Sequence, residues 1–323
     1  MIPNWPLPSF AVVIEWDNAR TAELARAHAM LRALHTQLVR LRHRVAAPPQ
    51  VLVLYDRHEV PATIVENSLR LHFNASKDLC ELRAEPVDGL KYYELKNAGA
   101  ARTSGEVVVF LDSDVIPEPD WLQELLECFA NPDVSVVGGQ TYMSLDTFYD
   151  KAFSLFWFYG LRSDRTDLAP DRNYFANNVA FRRSVFERHS FPKTDLYRGA
   201  CLWQTDALLR NGIQIYRQYR AGASHPAPRS LRAIILRGLW EGYDEVLIKR
   251  YWQNVTFTTV ARLYVRALRR TLTRVIRDYR RAGLSRPGAI AAFMLGAAFY
   301  TFKFIGSFLT LIKPTFLRHV LPA

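Results

Sequence analysis

The sequence predicts an α/β protein, a mostly parallel sheet flanked by helices, followed by a helical C-terminal segment suited to a membrane. Three observations carry this. The first two thirds alternate short uninterrupted apolar runs with amphipathic ones. One run, residues 107–111, breaks directly into Asp112-Ser113-Asp114, which leaves two carboxylates at the carboxyl end of a buried strand. Beyond about residue 230 an arginine-rich helical pattern leads into residues 288–312, which hold a single charge, Lys303.

Taken in order, residues 11–14 read as a buried strand. Residues 19–41 read as a long helix, with Leu24, Leu31, Leu34, Leu38 and Leu41 at helical spacing. Residues 51–55 form a second strand ending at Asp56, and 62–71 a helix. With the strand at 107–111 this is the order of βαβ units and a largely parallel sheet. A helix over 121–129 follows Pro119. Residues 134–137 form a strand ending at Gly138-Gly139, and Val185 opens a helix. Residues 202–210 form a helix closed by Asn211-Gly212, and 213–219 a strand leading to His225-Pro226. In open α/β sheets, ligands bind beyond the carboxyl ends of the strands. Aspartate oxygens there are hard ligands of the kind Mg²⁺ or Mn²⁺ prefers. An ion so held neutralises a diphosphate, so the pattern points to a phosphate-bearing substrate.

The net charge of +11 is local. Nine arginines and one acid, Asp278, lie between Arg262 and Arg286, and the rest of the chain balances to +3. On a helix, the eight arginines from Arg262 to Arg281 share one arc. Val265, Leu268, Leu272, Val275, Ile276 and Tyr279 share the other, with Leu263 out of place. The apolar stretch at 288–312 is long enough to cross a bilayer. A basic amphipathic helix beside such a stretch reads as membrane attachment, with the arginines facing anionic lipid on the cytoplasmic side. A full crossing, a hairpin bent near Gly296 or Gly306, and two packed helices of a soluble domain all remain open. Three regions follow: 1–229, 230–286 and 287–323. The one-sided arginines and the adjoining apolar stretch speak against nucleic acid as a partner. Cys80, Cys128 and Cys201 form no CxxC pair, which fits a reducing compartment. The first ten residues show no secretory pattern. The absence of GxGxxG and Walker A patterns removes support for dinucleotide oxidoreductases and P-loop enzymes.

An ordered set of segments resembles the family 2 glycosyltransferases, inverting enzymes of the GT-A (nucleotide-diphospho-sugar transferase) fold. The set is Glu15-Trp16-Asp17-Asn18; Asp56; Lys96-Asn97-Ala98-Gly99-Ala100-Ala101; Ser104-Gly105-Glu106; Asp112-Ser113-Asp114, similar to the DXD motif; and residues 177–183, similar to the segment lining the donor-sugar pocket. The resemblance spans roughly residues 9–226. It implies a nucleotide-sugar donor touched by Glu15, Asp17, Asp56, Lys96, Asn97, Asp112 and Asn178. It also implies Mg²⁺ or Mn²⁺ on Asp112 and Asp114, with His225 as a third ligand; a plain turn residue is the other reading of His225. Asp56 would accept from the donor base or serve as a turn aspartate.

The resemblance further implies a carboxylate pair opening the helix that ends at Gly212, but Ala200 and Cys201 stand there. Asp206, and after it Asp195, are the nearest candidates for the general base that inverting transfer needs. No QxxRW-like motif is present, so addition of one sugar is expected rather than polymer extrusion. The expected setting is the cytoplasmic face of the inner membrane, with a lipid-linked or saccharide acceptor. The missing pair keeps a second reading open, a non-catalytic GT-A homologue acting as a membrane-bound partner. A nucleotidyltransferase is a further alternative.

Overall fold

The computed structural model describes residues 6–21, 24–73 and 78–321. Residues 1–5, and Ala22 and Glu23 of the helix expected over 19–41, lie outside these. The chain divides into two compact units. The first comprises Met1–Thr141, Ser163–Lys193 and Gln204–Ser224; the second comprises Tyr142–Arg162, Thr194–Trp203 and His225–Ala323.

In chain order the elements are β1 (Phe10–Glu15), α1 (Asp17–Thr21), α2 (Leu24–Leu41), β2 (Gln50–Asp56), α3 (Ala62–Phe73), β3 (Glu81–Val87), α4 (Tyr92–Ala101), β4 (Val107–Asp112), β5 (Ile116–Pro117), α5 (Trp121–Glu127) and β6 (Val136–Met143). Then come α6 (Phe148–Phe156), β7 (Leu168–Asp171), β8 (Asn178–Arg182), α7 (Arg183–Arg188), α8 (Ala200–Arg210), β9 (Ile215–His225), α9 (Leu231–Trp252), α10 (Phe257–Asp278), α11 (Arg286–Ile312) and α12 (Phe316–Val320).

The sheet runs β3-β2-β1-β4-β8-β6-β9-β5, with β7 on β9. β3, β2, β1 and β4 are parallel, as the βαβ order predicts. β8 pairs antiparallel with β4 and β6, and β5 and β7 pair antiparallel with β9. Every residue of β1 and β4 is buried, which is why both read as unbroken apolar runs. The helices bury matching faces: Met30, Leu31, Leu34 and Leu38 of α2 and Leu122, Leu125 and Leu126 of α5 join one core with Val12, Ile14 and Val109.

Several boundaries depart from the sequence reading. β6 does not stop at Gly138-Gly139 but runs through them to Met143. Gly139 is a close-packing position, because a Cβ there would collide with the Asn178 amide and the Ala221 carbonyl. Residues 178–182 are a central strand as well as a site segment. β3 lacks an apolar run: it is a half-exposed edge strand carrying Glu81, Arg83 and Glu85, linked at 3.3 and 2.9 Å, charges of the kind that blunt a sheet edge.

In the second unit α9, α10 and α11 pack together with α6. Gly238 and Gly242, one turn apart on α9, let α11 approach closely. A Cβ on Gly242 would overlap the Lys303 carbonyl and lie 2.6 Å from the Ser307 nitrogen, and one on Gly306 would overlap the Leu239 carbonyl. Ser307 Oγ donates to the Gly242 carbonyl at 3.0 Å. α11 runs unbroken through Gly296 and Gly306, without the bend one reading allowed. It is the one helix among the described residues that is long and apolar enough to cross a membrane, and 28% of its apolar window is buried within the protein.

Candidate active site

The site grows from the carboxyl ends of β1 and β4, where parallel register sets Glu15 beside Asp112. Glu15 is fully buried and accepts hydrogen bonds from the Asp17 N–H (3.0 Å), the Asn18 N–H (3.4 Å) and Asn18 Nδ2 (2.7 Å). It therefore satisfies the first amides of α1, where a carboxylate is electrostatically favoured. The Asn18 amide reaches onward to Asp112 Oδ2 at 2.9 Å. Asp17 opens α1, with its backbone tied to Glu15.

Asp112 is 3% exposed and is the hub of this network. Lys96 Nζ donates to its Oδ1 at 2.5 Å and the Tyr92 hydroxyl to its Oδ2 at 2.8 Å. Tyr92 and Lys96 are four residues apart, so they share one face of α4. The Lys96 ammonium also lies 4.6 Å from the Tyr92 ring centroid and 5.8 Å from that of Phe110. The turn after β4 is gripped by Arg26 of α2, whose Nε donates to the Asp114 carbonyl oxygen at 2.6 Å while NH2 donates to the Ser224 carbonyl at 2.6 Å. Asp114 is 6% exposed. Between the two aspartates the Ser113 hydroxyl is buried with no hydrogen-bond partner among the described residues.

The other expected donor residues have defined structural partners. Asp56 accepts the His58 N–H on one oxygen and the Gly89 N–H on the other, both at 2.9 Å, where Gly89 adopts φ +61°. Asn97 braces the Phe191 backbone reciprocally, donating at 2.8 Å and accepting at 3.1 Å. Asn178 is fully buried, accepts from Trp121 Nε1 at 2.7 Å and donates to the Ala221 carbonyl at 3.3 Å. Asp206 lies on α8, ion-paired with Arg210 at 3.0 Å.

Asp195 and His225 belong to the second unit. Asp195 pairs with Arg318 at 2.8 Å, and His225 Nδ1 lies 2.6 Å from the Pro226 carbonyl with its ring against Tyr159. Thus Glu15, Asn18, Tyr92, Lys96 and Asp112 form one connected cluster. Tyr92 of this cluster, and Arg26 on the adjoining turn, are residues the sequence reading missed, while Asn18 was named only as part of a segment. The i,i+4 spacing of Tyr92 and Lys96 was the available signal.

A buried carboxylate of the second unit went unrecognised. Asp244 on α9 accepts the Tyr197 and Arg198 N–H groups at 2.7 and 2.8 Å. Burial outweighs these bonds and pushes its carboxyl up to about 6. Burial also raises the neighbouring Tyr197 phenol, but Arg198 and Arg237 more than reverse this and leave it below its ordinary value.

Among the described residues no three His, Cys, Asp or Glu side chains converge as a cage for a metal. Mg²⁺ and Mn²⁺ do not require one, since one or two carboxylates, water and substrate phosphates complete their shell. The Asp112-Ser113-Asp114 turn, with its carboxylates and orphaned Ser113 hydroxyl, fits such an open site.

A mostly parallel sheet whose carboxylates gather beyond adjacent strand ends is the layout of the GT-A fold. The comparisons with known proteins agree. Residues 91–190 match the family described as Glycosyl transferase family 2. A stretch of 105 residues is 31% identical to a glucosyl-dolichyl phosphate glucuronosyltransferase of Haloferax volcanii, over 30% of this chain and 32% of that protein. The chain thus matches about a third of that relative's length. The fold resembles that of the mannosyltransferase PcManGT of Pyrobaculum calidifontis, solved with GDP-Man and Mn²⁺, at a TM-score of 0.59 and 16% identity over 95% of this chain and 88% of that one.

Proposed function

We propose that this protein transfers a single sugar from a nucleotide-sugar donor to a lipid-linked or saccharide acceptor, in polysaccharide or glycolipid assembly, at the cytoplasmic face of the inner membrane. The observation that carries the reading is the buried cluster on Asp112, set beside Asp114 at the carboxyl end of β4. In this reading Lys96, Tyr92 and Asn18 fix Asp112 toward the donor ribose or the metal. Asp114 takes Mg²⁺ or Mn²⁺, whose chemistry when bound is to neutralise the departing diphosphate. Glu15, Asp56, Asn97 and Asn178 shape the donor pocket, chiefly by holding backbone, and Asp17 at the start of α1 is a further donor contact. His225 is a candidate further ligand. Asp206 is the proposed general base, with Asp195 as the substitute; each now bonds an arginine that acceptor binding would have to loosen.

Attachment in the plane of the membrane fits the second unit better than a crossing. α11 packs against α9, which carries Arg232, Arg237, Glu241, Asp244, Glu245, Lys249 and Arg250, and a crossing would draw those charges into hydrocarbon. The exposed apolar residues Ile290, Met294, Ile305, Phe308 and Ile312 instead line one face of α11.

A donor panel tests the enzyme: purified protein with UDP-, GDP- and dTDP-sugars, with and without Mn²⁺. Metal-dependent release of one nucleoside diphosphate is expected. No release and no calorimetric nucleotide binding would favour the non-catalytic membrane partner, a reading that the absent carboxylate pair before Gly212 supports.

A further inference from the structure

Within the second unit α9, α10 and α11 line an open pocket of about 100 Å³, bordered by Glu245, Leu263, Arg266, Arg270, Lys303 and Phe304 among others. Its charge is unbalanced. Lys303 is paired with Glu245 at 3.4 Å. Arg270 donates only to a neutral group, the Tyr300 hydroxyl, at 3.1 Å, and Arg266 makes no hydrogen bond or ion pair among the described residues. Two exposed guanidiniums without an acidic counter-ion therefore border one small pocket. Guanidinium forks match phosphate oxygens.

One wall of the pocket continues as an aromatic strip. The Phe304 ring lies 5.2 Å from Tyr264 and 6.5 Å from Phe308, and Phe257 lies 5.8 Å from Phe308. Phe257 is 55% and Phe308 38% exposed. The site is thus basic at one end and apolar at the other, as an amphiphile is.

We infer that this pocket binds the phosphate of an anionic phospholipid headgroup on Arg266 and Arg270, with the acyl chains lying along Phe304, Phe308 and Phe257. Basic pockets between apolar helices take such headgroups. The inference rests on the membrane attachment proposed above and gives that attachment a specific, saturable contact.

The test is sedimentation of the full chain with sucrose-loaded vesicles, either pure phosphatidylcholine or phosphatidylcholine with phosphatidylglycerol. Three variants are compared with the unaltered protein: Arg266→Gln/Arg270→Gln at the pocket, Arg262→Gln/Arg269→Gln on the same helix but outside the pocket lining, all four arginines being exposed, and Arg266→Gln alone, which breaks no contact. Loss of any surface arginine costs roughly fivefold through general attraction to an anionic membrane. The pocket pair is expected to lose about tenfold more than the pair outside it, and Arg266→Gln alone more than half of that excess on a logarithmic scale. Equal losses by the two pairs would overturn the pocket and leave diffuse attraction. Binding of inorganic phosphate by calorimetry, abolished in the pocket pair while vesicle losses stay equal, would assign the pocket to a soluble phosphate instead. Failure of the unaltered protein to sediment with either vesicle would reject the membrane attachment itself.

Discussion

Lys96 holds its ammonium 2.5 Å from Asp112, with the lysine side chain fully buried and that of the aspartate nearly so. Two charges taken out of water are tolerated because each neutralises the other, and because Tyr92 and Asn18 satisfy further lone pairs of the carboxylate. Removing one partner leaves the other charged and buried. Lys96→Met is expected to destabilise the protein by about 3–5 kcal/mol, and Lys96→Met/Asp112→Asn to recover much of that loss. Urea unfolding of the two variants measures the difference. A double variant no better than the single one would mean that the pairing is not what stabilises this buried lysine.

The Asp114 carboxylate is separable from the fold in a way Asp112 is not. Arg26 grips the Asp114 backbone carbonyl, which Asp114→Asn retains. The variant should melt within a few degrees of the unaltered protein, yet lose about 10²–10³ of metal-dependent donor turnover, the scale of a lost metal contact. Mn²⁺ titrations of turnover, read beside thermal melts, check both halves. Full turnover in Asp114→Asn would move the metal site elsewhere.

Asp206→Asn removes a proton acceptor and one partner of an i,i+4 ion pair, half-buried at Asp206 and exposed at Arg210, which contributes under about 0.5 kcal/mol. Stability should barely change. Sugar transfer should fall by about 10²–10⁴, the usual weight of a general base, while donor affinity stays constant. Asp195→Asn should leave transfer intact. The opposite pattern would exchange their roles, and normal transfer by both would place the base outside this pair.

Legibility followed burial. β1, β2 and β4 were readable because they are covered on both faces and so appear as apolar runs. β3 was not, because an edge strand alternating Glu81, Arg83 and Glu85 looks like solvated loop. α9 escaped for a related reason: it buries Gly238, Trp240, Gly242 and Asp244 on faces that give no clear apolar period. In the site, the motif fixed where Asp112 and Asp114 lie. The partners that hold them, Tyr92, Asn18 and Arg26, come from helices distant in sequence, and only the fold brings them there. Asn97 braces the Phe191 backbone and Asn178 bridges the Trp121 indole and the Ala221 carbonyl, uses that their residue type cannot announce.

The contact between α9 and α11 tolerates no side chain at its glycines. A methyl on Gly242 would enter the space of the Lys303 carbonyl and the Ser307 nitrogen, both backbone atoms that cannot rotate away. Gly242→Ala should therefore cost about 1–3 kcal/mol, the range for overpacking. Gly160→Ala, where a Cβ meets nothing within 4 Å, should be nearly neutral. Paired thermal melts decide it, and similar melting temperatures for the two variants would show that the helices can separate without loss.

Asp244 gives the second unit a pH dependence of definite sign. Its carboxyl titrates at about 6 in the folded protein against 3.8 when unperturbed, because burial penalises the charged form. Below about pH 4 both folded and unfolded chains hold the proton. As pH rises toward 6 the unfolded chain releases it first, so the unfolded state gains and stability falls across this window. Above about 6 both are ionised and the loss stays constant, at about 3 kcal/mol in order of magnitude. Asp244→Asn cannot ionise. Its amide keeps one acceptor for the Tyr197 or Arg198 N–H and opposes the other with a donor, a cost that does not vary with pH. The stability difference between variant and unaltered protein should therefore shift in the variant's favour between pH 4 and 6 and be flat on either side. Other carboxylates titrate in the same range but cancel in that difference. Urea unfolding of both proteins at half-unit intervals from pH 4 to 8 measures it; curves that stay parallel through the window would show that Asp244 is already ionised in the acid-stable fold.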